Sequence, residues 1–238
     1  MHFTYNAYAD LIAALQKKKY TFSNYMDHPG DNFVILRHDV DFLPEKAYEF
    51  ARHEVELNVR STYFFLMRTD FYNIGSRKTM DLIRKIAGMG HTIGLHYDEK
   101  DSTPGETPGL IKRDCDLFSR ITGVPVHCFS MHRPSKEIMK ADFHIEGYTN
   151  SNALYYSTSC KYISDSRHDW KGNTIQSIAS GEYSRLHILT HPIWYGDTDR
   201  SLAETLTAFC LDAARNRYNS LLENVRDLEK DLPADFLK

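Results

Sequence analysis

The chain has 238 residues, 42% of them hydrophobic and 26% charged, which suits one soluble α/β domain with a substantial core. Lys and Arg number 29 against 32 Asp and Glu, so the formal net charge is −3 and there is no electrostatic case for nucleic acid or an anionic membrane as the main partner. No window approaches the ~18 apolar residues of a membrane span, and Cys115, Cys128, Cys160 and Cys210 lack the spacing of a disulfide framework or a zinc knuckle.

The chain begins MHFTYNAYADLIAALQKKKY, with lysines after the apolar residues rather than before them. This is not a secretory signal pattern, and it predicts a cytoplasmic protein with reduced thiols. Tyr8, Leu11, Ile12 and Leu15 recur at helical spacing, so an N-terminal helical segment is expected over about 1–28. NFVILRH reads as a buried strand. FLPEKAYEFARHEVEL reads as a helix started by Pro44, with Ala47, Phe50, Ala51 and Val55 inward. STYFFLM is a second strand. SRKTMDLIRKIAGMG is a second helix, with Met80, Ile83 and Ala87 inward and Gly88 or Gly90 ending it. HTIGLHY is a third strand, and DEKDSTPGETPG is a loop.

LIKRDCDLFSRITG then gives a helix with Ile111, Cys115, Phe118 and Thr122 in register, and VHCFSMH gives another strand. From Gly147 to Gly181 the pattern weakens into short strands and loops. RLHILTHPIWY is a late strand, and residues 199–232 form one long helix or two consecutive ones. Strands alternating with helices imply parallel βαβ units in a single domain spanning 1–238, as either a (β/α) barrel or an open doubly wound sheet. The Gly-rich phosphate fingerprint of the nucleotide-binding sheet is absent after the first strand.

Acid and imidazole stand at the end of that strand instead. In a barrel, strand C-termini meet over one mouth. Here they carry His38, Asp39 and Asp41, then His96, then His132 and Arg133, then His191. Asp39 and Asp41 lie two apart, so on an extended chain they point the same way and repel unless a cation or a proton intervenes. Carboxylates with imidazoles suit one divalent metal ion, zinc first, with iron, cobalt or nickel as alternatives. The alternative is that Asp39 and Asp41 cap the next helix or pair with Arg37. His96, at a strand end, is the better ligand of the two histidines in HTIGLH, and His91 at the strand start reads as structural. Arg133 could hold a carboxylate bidentately or lie on the surface.

With these strand ends assembled, the sequence resembles the polysaccharide deacetylase family, carbohydrate esterase family four, over about residues 30–195. VILRHDVDF stands in the slot of the family's Thr-Phe-Asp-Asp-Gly, GHTIGLHYD resembles its Gly-His-Glu-Ile-Gly-Asn-His, MHRPS its Arg-Pro-Pro-Tyr-Gly turn, DSRHDW its Asp-x-x-Asp-Trp with one extra residue, and LTH its Leu-x-His. The resemblance implies a distorted (β/α) barrel of about seven parallel strands and metal-dependent removal of an acetyl group from a sugar. Carried over residue by residue, it makes Asp39 the general base and Arg133 the arginine orienting it. His96 becomes a metal ligand, Asp165 the aspartate that tunes the catalytic histidine, Leu189 a wall of the acetyl pocket, and His191 the general acid.

Two positions depart from the family pattern. Val40 occupies the place of its metal-binding aspartate, which passes the role to Asp41. Lys100 occupies the place of its second metal histidine, for which His132 is the favoured substitute and His38 the other. Trp170 and Trp194, with Tyr155, Tyr156 and Tyr195, offer rings to a sugar, although each serves equally well as core. The expected substrate is a small molecule or saccharide, such as a nucleotide- or lipid-linked amino-sugar precursor of a surface polysaccharide. The C-terminal helix offers a face for a second copy of the chain. Hydrolysis of another C–N bond, in a cyclic amide or ureide, is the second reading, and an inactive carbohydrate-binding relative is the third.

Overall fold

The computed structural model describes residues 1–27, 30–103, 105–170, 178 and 180–237. The chain divides into two compact units, Met1–Asp197 and Thr198–Lys238. Part of the weakly patterned Gly147–Gly181 stretch, residues 171–177 and 179, lies outside the described residues.

The first unit begins with α1 (Tyr5–Lys17). The Thr4 side chain accepts from the Ala7 N–H at 3.1 Å, and the apolar stripe Tyr8, Leu11, Ile12 and Leu15 is buried. β1 (Thr21–Ser23) comes next, too short to show a period in the sequence. β2 (Phe33–Val40) is buried at every position. α2 (Pro44–Glu56) starts on its proline, and β3 (Thr62–Leu66) is fully buried. α3 (Arg77–Gly88) buries Thr79, Ile83 and Ile86 rather than the expected Met80, Ile83 and Ala87. The stripe is turned by about one residue, which exchanges Ala87 for Ile86 and Met80 for Thr79.

β4 (Thr92–Asp98) carries Gly94 opposite Phe64, and a Cβ there would fall 2.3 Å from the Phe64 ring. α4 (Thr107–Thr122) buries Ile111, Cys115, Phe118 and Thr122 and ends on Gly123, whose φ of 74° is left-handed. β5 (Cys128–His132), α5 (Lys136–Ala141), β6 (Thr149–Asn150), α6 (Leu154–Thr158), β7 (Lys161–Ser164) and β8 (Arg185–Thr190) complete the unit.

All strand pairs are parallel, in the order β6-β5-β4-β3-β2-β8-β7, with β1 beside the first half of β2. Among the described residues no pairing joins β6 to β7, so the sheet curls into a distorted (β/α) barrel that stays open on one side. The register sets the C-terminal ends side by side: Leu66 faces His96, Asp98 faces His132, and His38 faces Thr190. That alignment brings residues distant in sequence to one mouth.

The second unit holds α7 (Leu202–Asn224) and α8 (Leu228–Asp231), so the C-terminal helical segment is two consecutive helices. Ser201 and Glu204 form a capping box at the start of α7, and the Tyr218 hydroxyl donates to the Leu232 carbonyl at 2.8 Å. No helix among the described residues is long and apolar enough to cross a membrane.

Candidate metal centre

The period of two along β2 separates its polar residues. Arg37, Asp39 and, just beyond the strand, Asp41 line one cavity, while His38 turns to the other side of the sheet. Each buried charge on β2 has a partner. Arg37 donates from Nε to Asp39 Oδ1 at 2.8 Å and from Nη2 to Oδ2 at 2.9 Å, a bidentate pair that is 2% and 4% exposed. Burial alone would raise the Asp39 pKa, but the Arg37 guanidinium, helped by His96, holds it well below the usual carboxylate range.

His38 Nε2 donates to Glu54 Oε1 at 2.9 Å, and its Nδ1 meets Thr190 Oγ1 at 2.5 Å. Glu54, fully buried on α2, also accepts from Tyr8, Ser61 and Tyr63 at 2.6–2.7 Å. Burial pushes its pKa up, but His38 and the hydrogen bonds hold it at about 2. His38 is thereby committed behind the sheet and is no substitute ligand. His91 is structural too: its Nε2 donates to the Ala51 carbonyl at 3.1 Å and its Nδ1 accepts from Ser61.

Asp41 Oδ1, His96 Nε2 and His132 Nδ1 converge. The separations are 3.3 Å from His96 to Asp41, 3.5 Å from His132 to Asp41, and 3.1 Å between the two imidazoles. Four-coordinate zinc, with bonds of about 2.0–2.1 Å, sets neighbouring ligand atoms about 3.3 Å apart. Asp41 Oδ1 is buried and has no hydrogen-bond partner among the described residues. That state is costly for a carboxylate oxygen unless a cation satisfies it. His96 Nδ1 meets Ser130 Oγ at 2.6 Å, which fixes the ring with Nε2 toward the centre. Burial, with His96 nearby, lowers the His132 pKa and favours the neutral, ligating form. These three residues therefore suit a divalent ion.

Val40 and Lys100 both lie outside this cluster. Val40 is buried, on the alternation opposite to Asp39 and Asp41, and the Lys100 ammonium pairs with Asp98 at 3.2 Å. His132 lies on the strand beside that of His96, with its Nδ1 3.1 Å from His96 Nε2.

Opposite Asp39, the His191 backbone N–H donates to Asp165 Oδ2 at 3.0 Å and its Nδ1 donates to Oδ1 at 2.6 Å. The Tyr195 hydroxyl donates to the same Asp165, which is fully buried. Burial pushes the His191 pKa down, but Asp165, with Asp41 and Asp39, raises it to about 9. His191 Nε2 faces the centre, 3.9 Å from Asp41 Oδ2.

Three expected positions differ from the structure. Arg133 does not orient Asp39: its Nη2 donates to Asp98 at 2.8 Å and its side chain is 67% exposed, while Arg37 occupies the place beside the carboxylate. Of the expected substrate-binding residues, Leu189 lines the cavity and the two tryptophans do not. Trp194 is buried behind His191, its ring 6.3 Å from the imidazole and 5.4 Å from His168, and Trp170 is 6% exposed in the core. The cavity measures about 760 Å³, within the usual range for small-molecule sites. On its floor His187, with a pKa pressed down to about 3 by burial and by Arg37, meets the Tyr25 hydroxyl at 2.5 Å. The alternation His187, Leu189, His191 could have flagged His187 in the sequence, whereas Tyr25 sits after β1 where no pattern points to it.

No protein-family model matches the sequence, and no curated protein does. Among solved structures, the chain is similar to a carbohydrate esterase family four pseudoenzyme from Bacillus anthracis at 15% identity, covering 79% of this chain and 63% of that one with a TM-score of 0.48. A mutant pseudoenzyme of this family with restored activity is 13% identical, over 79% of this chain and 65% of that one, with a TM-score of 0.48. The chain thus spans less than two thirds of the length of both. A family 4 acetyl xylan esterase from Clostridium thermocellum, in complex with a cobalt ion, is 14% identical over 77% of this chain and 84% of that one, with a TM-score of 0.41.

Proposed function

We propose that the protein is a metal-dependent hydrolase that removes an acetyl or other acyl group from an amino sugar or saccharide precursor. The observation that carries this reading is the convergence of Asp41, His96 and His132 on one point, with a buried Asp41 oxygen that accepts no hydrogen bond among the described residues, between a depressed carboxylate and a raised imidazole.

Asp41, His96 and His132 would hold the ion, zinc by preference. Bound there, a divalent ion supplies Lewis acidity, which lowers the pKa of water and polarises an acyl carbonyl. Asp39 stays ionised near neutral pH and takes the proton of the attacking water. Arg37 fixes both Asp39 oxygens, so the base keeps one orientation without being neutralised by a proton. His191 enters as imidazolium and gives its Nε2 proton to the departing nitrogen or oxygen, while Asp165 holds Nδ1–H and retains the charge. Leu189 supplies an apolar contact to the acyl group from the cavity wall. Two groups with pKa values pushed in opposite directions across one cavity divide the base and acid roles between them.

Incubating the metal-loaded protein with N-acetylated and O-acetylated amino sugars and measuring free acetate tests the reading. Acetate release that falls by about 100-fold or more in His191→Ala is expected. Release of ammonia or ring-opened product from cyclic amides or ureides, with no acetate from any sugar, would replace it by the second C–N hydrolase reading.

A further inference from the structure

We infer that the saccharide handled by this cavity carries a phosphate group, bound by Arg133 and Arg167 at the cavity mouth; this rests on the deacylase reading of the metal end. Both arginines line the cavity. Arg133 directly follows His132, and Arg167 comes two residues after Asp165, so each leaves the site from a residue that already faces the chemistry.

The ion pairs around the cavity leave its arginines unequally matched. Arg37 is matched by Asp39, and His191 by Asp165. Asp98 is shared by two cations, Arg133 at 2.8 Å and Lys100 at 3.2 Å. Arg167 is exposed and has no hydrogen-bond or ion-pair partner among the described residues. Arg133 thus shares its carboxylate and Arg167 has none, so both guanidinium groups on the cavity lining keep donors open to water. A phosphate monoester carries about −1.5 to −2 near neutral pH and accepts hydrogen bonds on three oxygens, which matches two guanidinium groups better than a neutral sugar or a single carboxylate does.

The backbone points the same way. Arg133 has φ of 50° and Arg167 of 63°, both left-handed, a conformation that glycine or asparagine holds at lower cost. Both positions thus set a long basic side chain on the lining of one cavity at some conformational cost. Tyr162 and Tyr156 on the same lining offer apolar ring surface, which suits a substrate larger than the phosphate alone.

The test is calorimetric titration of the full chain, with and without divalent metal, using N-acetylglucosamine, N-acetylglucosamine 1-phosphate and uridine diphosphate N-acetylglucosamine. At least one phosphorylated sugar should bind about tenfold or more tighter than the neutral one, less so at high salt. The gain should vanish in Arg167→Gln and return partly in Arg167→Lys, with the melting temperature unchanged because Arg167 is exposed. Preference for the uridine diphosphate ester over the 1-phosphate identifies a nucleotide-linked substrate, and the reverse identifies a simple sugar phosphate. Equal binding of neutral and phosphorylated sugars, or an unaltered gain in Arg167→Gln, overturns the inference. Tight, Arg167-dependent binding without acetate release under any condition would sink the deacylase reading and leave the phosphate subsite standing.

Discussion

Replacing Arg37 by methionine isolates the most heavily buried ion pair of the cavity. The guanidinium is 2% exposed and Asp39 is 4% exposed, joined by hydrogen bonds of 2.8 and 2.9 Å. Methionine fills much of the same volume, so the main loss is charge pairing rather than packing. Breaking such a pair leaves an uncompensated buried carboxylate and costs about 3–5 kcal/mol. In a unit the size of Met1–Asp197 that corresponds to a fall in melting temperature of roughly 6–20 °C. The sign with pH comes from the direction of the Asp39 shift. With Arg37 present the folded pKa is depressed, so the stabilisation is complete above the unfolded value of 3.8 and is lost only as pH falls through the lower folded value. Without Arg37, burial dominates and raises the pKa, so acidification neutralises the stranded carboxylate and shrinks the deficit. Urea unfolding of metal-free protein at pH 7 and pH 5 measures both points, and Asp39→Asn on each background closes a double-mutant cycle. A deficit under 1 kcal/mol at pH 7, or one that grows on acidification, would refute the pairing argument.

Other parts of the molecule give three further outcomes. His191, with its pKa raised to about 9, contributes stability that is complete below its unfolded value of 6.5 and is lost as pH rises through about 9. That contribution amounts to about 3 kcal/mol. Asp165→Asn should flatten this part of the stability–pH curve in metal-free protein and move the alkaline limb of the rate–pH profile to lower pH. Glu54→Gln removes the charge that holds His38, Tyr8, Ser61 and Tyr63, and should cost about 3 kcal/mol in unfolding experiments while leaving the pH dependence of turnover in place. Gly94→Ala sets a methyl 2.3 Å from the Phe64 ring between β3 and β4, and should destabilise by about 1–3 kcal/mol or more by thermal melting.

Much of the fold is written in local pattern. The stripe Tyr8, Leu11, Ile12, Leu15 and the stripe Ile111, Cys115, Phe118, Thr122 are buried as their spacing predicts, because a single apolar face leaves a helix one way to pack. The α3 stripe is less decisive, since Met80, Ile83, Ile86 and Ala87 offer two overlapping faces. Strand ends are legible as chemistry because a run such as Arg37-His38-Asp39-Val40-Asp41 has no apolar reason to end a buried strand.

Pair partners across the sheet are not legible in the same way. Both readings of the β2 acids describe part of the molecule: Asp39 pairs with Arg37, whereas Asp41 faces the imidazoles. The period of two puts Arg37, Asp39 and Asp41 on one side but cannot say which carboxylate the guanidinium takes. Arg133 misleads for the related reason that a matching turn motif does not fix where a long side chain goes once Asp98 lies within reach. Trp170 and Trp194 are apolar enough to serve either core or ligand, and packing decides for the core.

The central claim is that Asp41, His96 and His132 share one cation. Elemental analysis of protein purified without added metal, then reloaded with zinc and desalted, addresses it directly. One divalent ion per chain is expected, lost in His132→Ala as completely as in His96→Ala and unchanged in Lys100→Ala. An ion retained in stoichiometric amount by His132→Ala, or no binding at all by the unaltered chain, would contradict the account.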